Sequence, residues 1–464
     1  MKITVIGTGH VGLVVGLCFA EIGHDVVCVD NDPNKIKTLE AGRLPFYEPE
    51  LDGLLSRATA SGRIRFVTDL AAGVEHSEVI FFCLGTPPLP GGEADLSSVE
   101  RVARQIAQLS DSYKLVVEKS TVPVLTGERI RKTMQIYSRE KGELEFDVAS
   151  NPEFLAEGSA VVDFLYPDRI VIGVENERAA DLLREAYEPI VNQDFEWRLA
   201  HPAPENRAKC VMLVTNRNSA ELIKHASNSF LAMKISYINA ISNLCDAVGA
   251  DVRRVAEGMG YDHRIGPEFL KAGIGFGGFC FPKDLEAFIR IAEKNGQDFG
   301  LLREVERVNT NQVEKFIDKV RHEVWVLKGK TIAVWGLAFK PNTDDLRFSP
   351  SLITIERLLA EGAAVRAYDP QAMQEARQTH PQVTYAESAL EAAAGADALL
   401  LLTGWPEFRE VDLAELHARM VRPLILDGRN HLDPEIVRAA GFEYVGMGLP
   451  QNGEATAHGT VSRG

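Results

Sequence analysis

Met1-Lys2-Ile3-Thr4-Val5-Ile6-Gly7-Thr8-Gly9-His10-Val11-Gly12-Leu13-Val14-Val15-Gly16-Leu17-Cys18-Phe19-Ala20-Glu21-Ile22-Gly23-His24-Asp25-Val26-Val27-Cys28-Val29-Asp30 is the stretch whose reading decides the fold. Ile3 to Ile6 is a buried-strand run, the glycines make a tight turn, an apolar helix runs to about Ile22, and Asp25 to Val29 is a second strand. This is a βαβ unit with Gly7, Gly9 and Gly12 in the G-x-G-x-x-G spacing where strand gives way to helix. Glycines there allow the turn and let a pyrophosphate approach backbone N–H groups at a helix N-terminus. Asp30, at the end of the next strand, accepts from adenosine ribose hydroxyls and repels a 2′-phosphate, which favours NAD over NADP. The alternative is that the glycines only close a turn.

Outward from this unit, further buried-strand runs lie at Val79 to Leu84, Leu115 to Glu118 and Phe146 to Ser150, each followed by a turn signal and a helical stretch. The expected class is α/β, with two Rossmann-type, doubly wound parallel-sheet domains joined by a long central helix and a helical middle domain. The first domain is placed at residues 1–205 and binds NAD. Ser219 to Val248 contains no Gly or Pro and favours helix. It carries Leu222, Phe230, Leu231, Met233, Ile235, Ile238, Ile241 and Leu244 on several sides, which suggests a dimer core within a domain at 206–322. Near residue 330 the opening pattern returns. Thr331 to Trp335 ends in Gly336, Ser349 to Leu359 is helical, and Ala364 to Tyr368 ends in Asp369. This third domain, 323–450, lacks the glycine fingerprint and so holds a nucleotide in another way; the polar tail 451–464 is expected to be disordered.

The 464 residues imply more than one domain, and 50 Lys plus Arg against 66 Asp plus Glu leave a formal charge of −16. Such a surface argues against nucleic-acid and membrane partners. The six cysteines (Cys18, Cys28, Cys83, Cys210, Cys245, Cys280) are widely spaced without a CxxC pair, which suits reduced thiols and no metal site, and points to the cytoplasm. The apolar run Val11 to Ala20 is too short to span a bilayer.

Gly273-Ile274-Gly275-Phe276-Gly277-Gly278 places four glycines in six positions, a loop able to wrap a ligand, ahead of Cys280-Phe281-Pro282-Lys283-Asp284. Pro282 suits a first helical turn, so Cys280 is expected at a helix N-terminus beside Lys283. Dipole and ammonium both favour its thiolate, and Asp284 opposes them. Cys280 is then either a nucleophile or an inert core thiol. Lys224 and Asn228, four apart on the long helix, share a face that suits a developing oxyanion, unless Lys224 is simply solvated. Asn151-Pro152-Glu153-Phe154-Leu155-Ala156-Glu157 reads as an N-capped helical turn with Glu153 and Glu157 on one side, at the sheet edge where ligands bind. Glu118-Lys119-Ser120-Thr121-Val122-Pro123 leaves a strand at the same edge, with Thr121 free to hydrogen-bond a bound group.

In order along the chain, Gly7 to Gly12, Glu118 to Pro123, Asn151 to Gly158, Glu221 to Asn228, Arg264 to Asp284, Gly336 to Arg347 and Asp427 to Asn430 resemble the motifs of the UDP-glucose 6-dehydrogenases, within the UDP-glucose/GDP-mannose dehydrogenase family. His10 departs from the Tyr frequent in that family. The resemblance implies oxidation of a C6 alcohol of UDP-glucose to the carboxylate with two NAD, through a thiohemiacetal and a thioester on Cys280. It implies that Lys224 and Asn228 stabilise the oxyanion, that Asp284 and Thr121 hold a water and move protons, and that Glu153 assists. Implied cofactor contacts are Gly7, Gly9, His10, Val11, Gly12, Asp30, Lys35, Thr86, Thr121, Glu157, Lys283 and Arg347. Implied substrate contacts are Glu153, Phe154, Leu155, Lys224, Asn228, Arg264, Phe269, Lys271, Gly277, Phe339, Lys340 and Arg429, with Arg264 serving a neighbouring subunit of a homodimer or higher homo-oligomer. Lys340 and Arg429 would hold the diphosphate. Two alternatives are the same reaction on GDP-mannose or a UDP-linked amino sugar, and a catalytically silent nucleotide-binding scaffold.

Asp30 gives a direct test of cofactor choice. kcat/KM with NAD is expected to exceed that with NADP by about 30- to 150-fold, as a charge clash of about 2–3 kcal/mol requires. Equal values for the two cofactors would remove Asp30 from the ribose site.

Overall fold

A computed structural model describes residues 1–138, 144–204 and 210–450. The boundary expected at 205/206 and the tail 451–464 lie outside the described residues. The chain divides into two compact units. One comprises Met1–Ser229, Lys283–Phe299 and Asn342–Asp344; the other comprises Phe230–Pro282, Gly300–Pro341 and the described residues from Asp345 onward.

The first unit is built on eight strands: β1 (Lys2–Ile6), β2 (Asp25–Val29), β3 (Ile64–Val67), β4 (Val79–Phe82), β5 (Lys114–Glu118), β6 (Phe146–Ser150), β7 (Arg169–Gly173) and β8 (Val211–Thr215). Their order is β3-β2-β1-β4-β5-β6-β7-β8, parallel except for the single antiparallel pair Ser150 with Gly173. Helices cover both faces, so the central strands β4 and β5 are buried along their whole length and sort their side chains by alternation, while the edge strands β3 and β8 are partly exposed. Val79 and Phe81 enter one core and Ile80 and Phe82 the other. Both cores are fully buried at these positions.

The second unit repeats the plan with β9 (Thr331–Trp335), β10 (Ala364–Tyr368), β11 (Thr384–Tyr385), β12 (Ala398–Leu401), β13 (Leu424–Asp427) and β14 (Glu443–Gly446), all parallel. Their order, β11-β10-β9-β12-β13-β14, matches that of the first six strands. The expected doubly wound α/β class is therefore observed in both units. A helix of 32 residues, Arg217–Val248, and helices Val252–Gly260, Cys280–Lys294 and Gly300–Val324 lie between the two sheets in sequence.

The two copies treat their first turn differently. Gly7 has φ +98°, and a Cβ on it would collide with the Cys83 carbonyl. A Cβ on Gly12 would collide with the Gly7 carbonyl, so both glycines are required by close backbone approach. The helix His10–Glu21 follows directly, and no side chain caps it at Gly9. In the second unit Gly336 (φ +93°) packs equally tightly on Thr403. There, however, the next helix begins only at Pro350 and is capped by the Ser349 hydroxyl, which accepts from Ser351 N. One copy thus offers open helix-end N–H groups and the other does not.

The segment after β6 corrects one expectation. Residues 151–156 are not helical, and the helix there is Ala160–Leu165. Asn151 does not cap it because its side chain is committed elsewhere. Its Nδ2 donates to Val171 O at 2.8 Å, and its Oδ1 accepts from Tyr187 Oη at 2.6 Å and from Lys119 Nζ at 3.0 Å. Pro152 also disfavours helical backbone at Asn151. Glu153 and Glu157 therefore do not share a helix face.

Candidate active site

The first unit gathers its polar residues at the C-terminal ends of β1, β4, β5 and β6, where an open α/β sheet binds ligands. Asp30 is buried, and its Oδ2 accepts from Thr8 N (2.8 Å) and Thr8 Oγ1 (2.7 Å), while Oδ1 accepts from Asp32 N (3.0 Å). Burial alone would raise its pKa, but these hydrogen bonds and Lys35 at 3.8 Å hold it below the ordinary carboxylate value. A Cβ on Gly9 would meet nothing within 4 Å, so open space lies above the uncapped helix start. An open cradle of backbone donors with an ionised Asp beyond it fits NAD. His10 stacks on Phe46 at 4.6 Å between centroids and pairs with Glu48 at 2.8 Å. Burial works against its charge, but Glu48, Glu157 and Asp344 outweigh burial and raise its pKa. Val11 is half-buried one residue further into the helix. Thr86 donates to Thr121 O at 2.9 Å and accepts from Lys283 Nζ at 3.3 Å. Glu157 accepts from Thr343 Oγ1 at 3.3 Å.

Next to this, Lys224 and Asn228 both point inward from the long helix, 4 % and 6 % exposed. Lys224 Nζ lies 2.8 Å from Glu153 Oε1, and Glu153 Oε2 accepts from Leu155 N at 2.7 Å. Asn228 Nδ2 donates to Asp284 Oδ2 at 2.7 Å, and Lys283 Nζ lies 3.2 Å from Asp284 Oδ1. Phe154 carries the Arg169 guanidinium 3.9 Å above its ring, with Lys224 at 5.6 Å. The alternative of a solvated Lys224 is thereby removed. A buried ammonium, two carboxylates and an amide together can polarise a bound hydroxyl or carbonyl and exchange protons with it.

In the second unit the glycine loop is held at nearly every residue. Gly273 N donates to Asn239 Oδ1 (2.9 Å), Ile274 N to Gly428 O (2.9 Å), and Gly278 N to Arg347 O (3.0 Å). The Asn309 amide clamps Phe276, accepting from its N–H at 2.8 Å and donating to its carbonyl at 3.0 Å. Gly277 has no room for a side chain against the Phe348 carbonyl. The loop delivers Cys280 as the exposed first residue of helix Cys280–Lys294, with Asp284 one turn further along that helix. Arg429 Nε donates to Leu402 O (2.7 Å), Nη1 to Gly275 O (2.7 Å) and Nη2 to Phe339 O (3.2 Å). Burial pulls its pKa down to about 10. Arg429 is therefore a tie between strand ends and the glycine loop. Lys340 lies 5.4 Å from the Phe339 ring centroid, and Arg347 pairs with Asp345 at 2.7 Å and lies 4.4 Å over Phe279. Phe269 (φ +63°) and Lys271 are exposed, and Arg264 is exposed and doubly bonded to Asp262.

Four residues of these sites escape a reading of the sequence. Glu48 accepts from Gly158 N and Ala160 N, both at 2.8 Å. Glu221 accepts from Leu125 N (2.7 Å), Gly127 N (2.9 Å) and Ser150 Oγ (3.1 Å). Glu118 and Asn309 complete the set. Two carry a local signal: Glu118 is a charged residue closing the apolar run Leu115 to Val117, and Glu221 opens the motif that runs to Asn228.

An open dinucleotide turn beside a buried lysine–carboxylate pair defines an NAD-dependent oxidoreductase. Three stretches match the UDP-glucose/GDP-mannose dehydrogenase family: its NAD binding domain at residues 1–191, its central domain at 218–311 and its UDP binding domain at 333–434. The chain is 45% identical to the UDP-glucose 6-dehydrogenase TuaD of Bacillus subtilis, covering 97% of this chain and 93% of that protein. It is 44% identical to the UDP-glucose 6-dehydrogenase of Rhizobium meliloti, covering 97% and 100%. Among solved structures, a UDP-glucose dehydrogenase from Pyrobaculum islandicum superimposes with a TM-score of 0.85 at 39% identity, covering 97% of this chain and 98% of that one. The chain belongs to the UDP-glucose/GDP-mannose dehydrogenase family.

The buried pair makes a stability prediction. Lys224→Met leaves Glu153 buried without its ammonium and is expected to lower unfolding free energy by about 3–5 kcal/mol. Lys224→Met/Glu153→Gln is expected to regain most of that loss in denaturant unfolding. A single variant as stable as the parent would show that the pair is not buried in solution.

Proposed function

We propose that the protein oxidises the C6 alcohol of UDP-glucose to UDP-glucuronate, using two NAD per sugar. The observation that carries this is the buried group of Lys224, Glu153, Asn228 and Asp284 in a chain that matches UDP-glucose 6-dehydrogenases over 97% of its length. A primary alcohol loses one hydride to become an aldehyde. A second hydride leaves only after a nucleophile has added to the carbonyl carbon. NAD, held at the Gly7 to Gly12 turn and Asp30, supplies the hydride acceptor.

The other steps fall to the chain's own residues. Lys224 and Asn228 hold the C6 oxygen; as its O–H bond breaks the proton passes to the Lys224 amine, and the ammonium so formed stabilises the charge that develops on the oxygen with Asn228. The Cys280 thiolate adds to the aldehyde carbon to form a thiohemiacetal, and loss of the second hydride and the hydroxyl proton leaves a thioester. Water attacks the thioester, the C–S bond breaks, and the carboxylate and thiol separate. Asp284 and Thr121 position that water and take its proton, with Glu153 keeping Lys224 in place. The sum is alcohol plus two NAD plus water giving carboxylate, two NADH and three protons. Substrate contacts are proposed at Phe154, Leu155, Phe269, Lys271, Gly277, Phe339, Lys340 and Arg429, and cofactor contacts at Lys35, Thr86, Glu157, Lys283 and Arg347.

A homodimer is part of the proposal. Leu222, Phe230, Tyr237, Leu244 and Val248 are exposed along one helix at spacings of eight, seven, seven and four, an apolar stripe that suits a second copy. Arg264 is proposed to serve the site of that second copy. The six thiols support a cytoplasmic location, and no helix among the described residues is long and apolar enough to cross a membrane.

With excess NAD, each UDP-glucose is expected to yield two NADH by absorbance, and UDP-N-acetylmannosamine and GDP-mannose far less. One NADH per sugar would refute the four-electron reaction. Faster turnover of GDP-mannose or the amino sugar would move the substrate, and no NADH with any of the three would leave a silent scaffold.

A further inference from the structure

Glu118 closes β5 and stands in register with Ser150 of β6. Alternation places Leu115 and Val117 in one core and Val116 in the other, so Glu118 falls on the side of Val116. Lys119 turns to the opposite side, towards Asn151 and Tyr187. Glu118 is 2 % exposed, and its Oε1 accepts from Ser120 N at 2.8 Å. Its Oε2 is buried and has no hydrogen-bond partner among the described residues. Glu118 also lines a small cleft of about 10 Å³, room for a single water, with Ser120, Thr121, Ser150, Glu221 and Lys224 among its lining residues. An orphaned carboxyl oxygen beside a cleft of one-water size, with other polar side chains in its lining, is a site for ordered water.

We propose that this cleft holds a water bridging Glu118 to Lys224, and that Glu118 exchanges a proton with Lys224 through it. The Lys224 ammonium gives a proton to the water as the water gives one to the Glu118 carboxylate. One N–H bond breaks, one O–H bond forms, the water is regenerated, and lysine and glutamate both become neutral. The neutral amine then accepts the C6 hydroxyl proton. Glu118 is a positioning residue for a proton, acting through Lys224, and the proposal rests on the dehydrogenase function given above.

The charges around Glu118 set its range. Burial pushes its carboxyl up, Ser120 hydrogen bonds oppose this, and the Glu221 charge adds to it, giving a value of about 8. Glu221 is itself raised by burial despite its three donors and Arg217. Lys224 is held by Glu153, and His225 is lowered by burial, with Asp284 opposing this and its Nε2 2.8 Å from Val122 O. Lys119, on the other face, is brought down to about 8 by burial, so a titration in this range needs a variant to assign it. Below its midpoint Glu118 carries the proton and cannot accept another; above it the carboxylate is available.

Glu118→Gln keeps the size and the acceptor for Ser120 N but cannot exchange a proton. In the NADH assay with UDP-glucose, wild-type kcat is expected to rise with pH through about 8. The variant is expected to be flat there and lower by about tenfold or more at high pH, with KM within about twofold. An unchanged kcat profile, or a raised KM with kcat intact, overturns the proposal. Thermal unfolding checks the protonation without turnover. From the ordinary carboxyl value of about 4.5 up to about 8 the folded state holds a proton that the unfolded state has lost, so wild-type Tm should fall relative to the variant as pH rises. Parallel Tm curves overturn it. Should the variant not fold, the wild-type proton inventory in mixed light and heavy water decides: a bowed plot supports two protons in flight and a straight one contradicts it. A wild type that makes no NADH overturns the parent function as well, whereas an active wild type with an unaffected variant overturns this proposal alone.

Discussion

A lysine and a glutamate held out of water 2.8 Å apart constrain everything around them in the first unit. An ammonium buried at Lys224 is stable only beside a carboxylate, and Glu153 supplies it from a loop that bends back so that its second oxygen takes the Leu155 N–H. The loop is in turn kept out of helical form by Asn151, whose amide is bonded across the sheet. One turn along the helix, Asn228 fixes Asp284 in the same way. The result is a set of charged groups whose positions are set by partners before any ligand arrives, which is the condition for electrostatic stabilisation of a developing charge.

The two sheets share a strand order but not a binding chemistry, and two aspartates show why. Asp30 holds Thr8 and leaves a helix start open behind Gly9. Asp369, at the equivalent place after β10, accepts from Leu337 N and Ala338 N at 2.7 and 3.1 Å, from Trp405 Nε1 at 3.0 Å, and from Gln371 N and Ala372 N at 2.9 Å. With five donors it has little capacity left for a ribose. The next helix begins fourteen residues after Gly336 and is already capped. A nucleotide bound to this second unit must therefore rely on groups other than the fingerprint turn, in keeping with the UDP binding domain that the family places there.

Much of this was legible in the residues because it is local. The G-x-G-x-x-G spacing, the Asp30 after the second strand, and the return of strand, glycine and aspartate near residue 330 all lie within a few tens of residues. Lys224 and Asn228 were legible as one helix face, and both are buried as a working pair requires. The non-helical turn at Asn151 was not legible, because the bonds that decide it come from Lys119, Val171 and Tyr187. Glu48 and Asn309 were missed for the same reason: each serves backbone groups far away in sequence, with no spacing pattern to reveal it. Arg429 was legible as a cation at a strand end, but its three carbonyl partners make it a clamp on the glycine loop first.

The covalent step on Cys280 is the central claim of the proposed chemistry, and it is open to direct observation. Asp284→Asn should slow hydrolysis more than hydride transfer, so that the variant mixed with UDP-glucose and NAD accumulates the acyl form. Mass spectrometry after an acid quench is expected to find the chain heavier by the sugar nucleotide less two hydrides and two protons, with the added mass on the peptide that contains Cys280. Turnover with no added mass on that peptide, at quench times shorter than one catalytic cycle, would contradict the thioester and leave Cys280 without a covalent role.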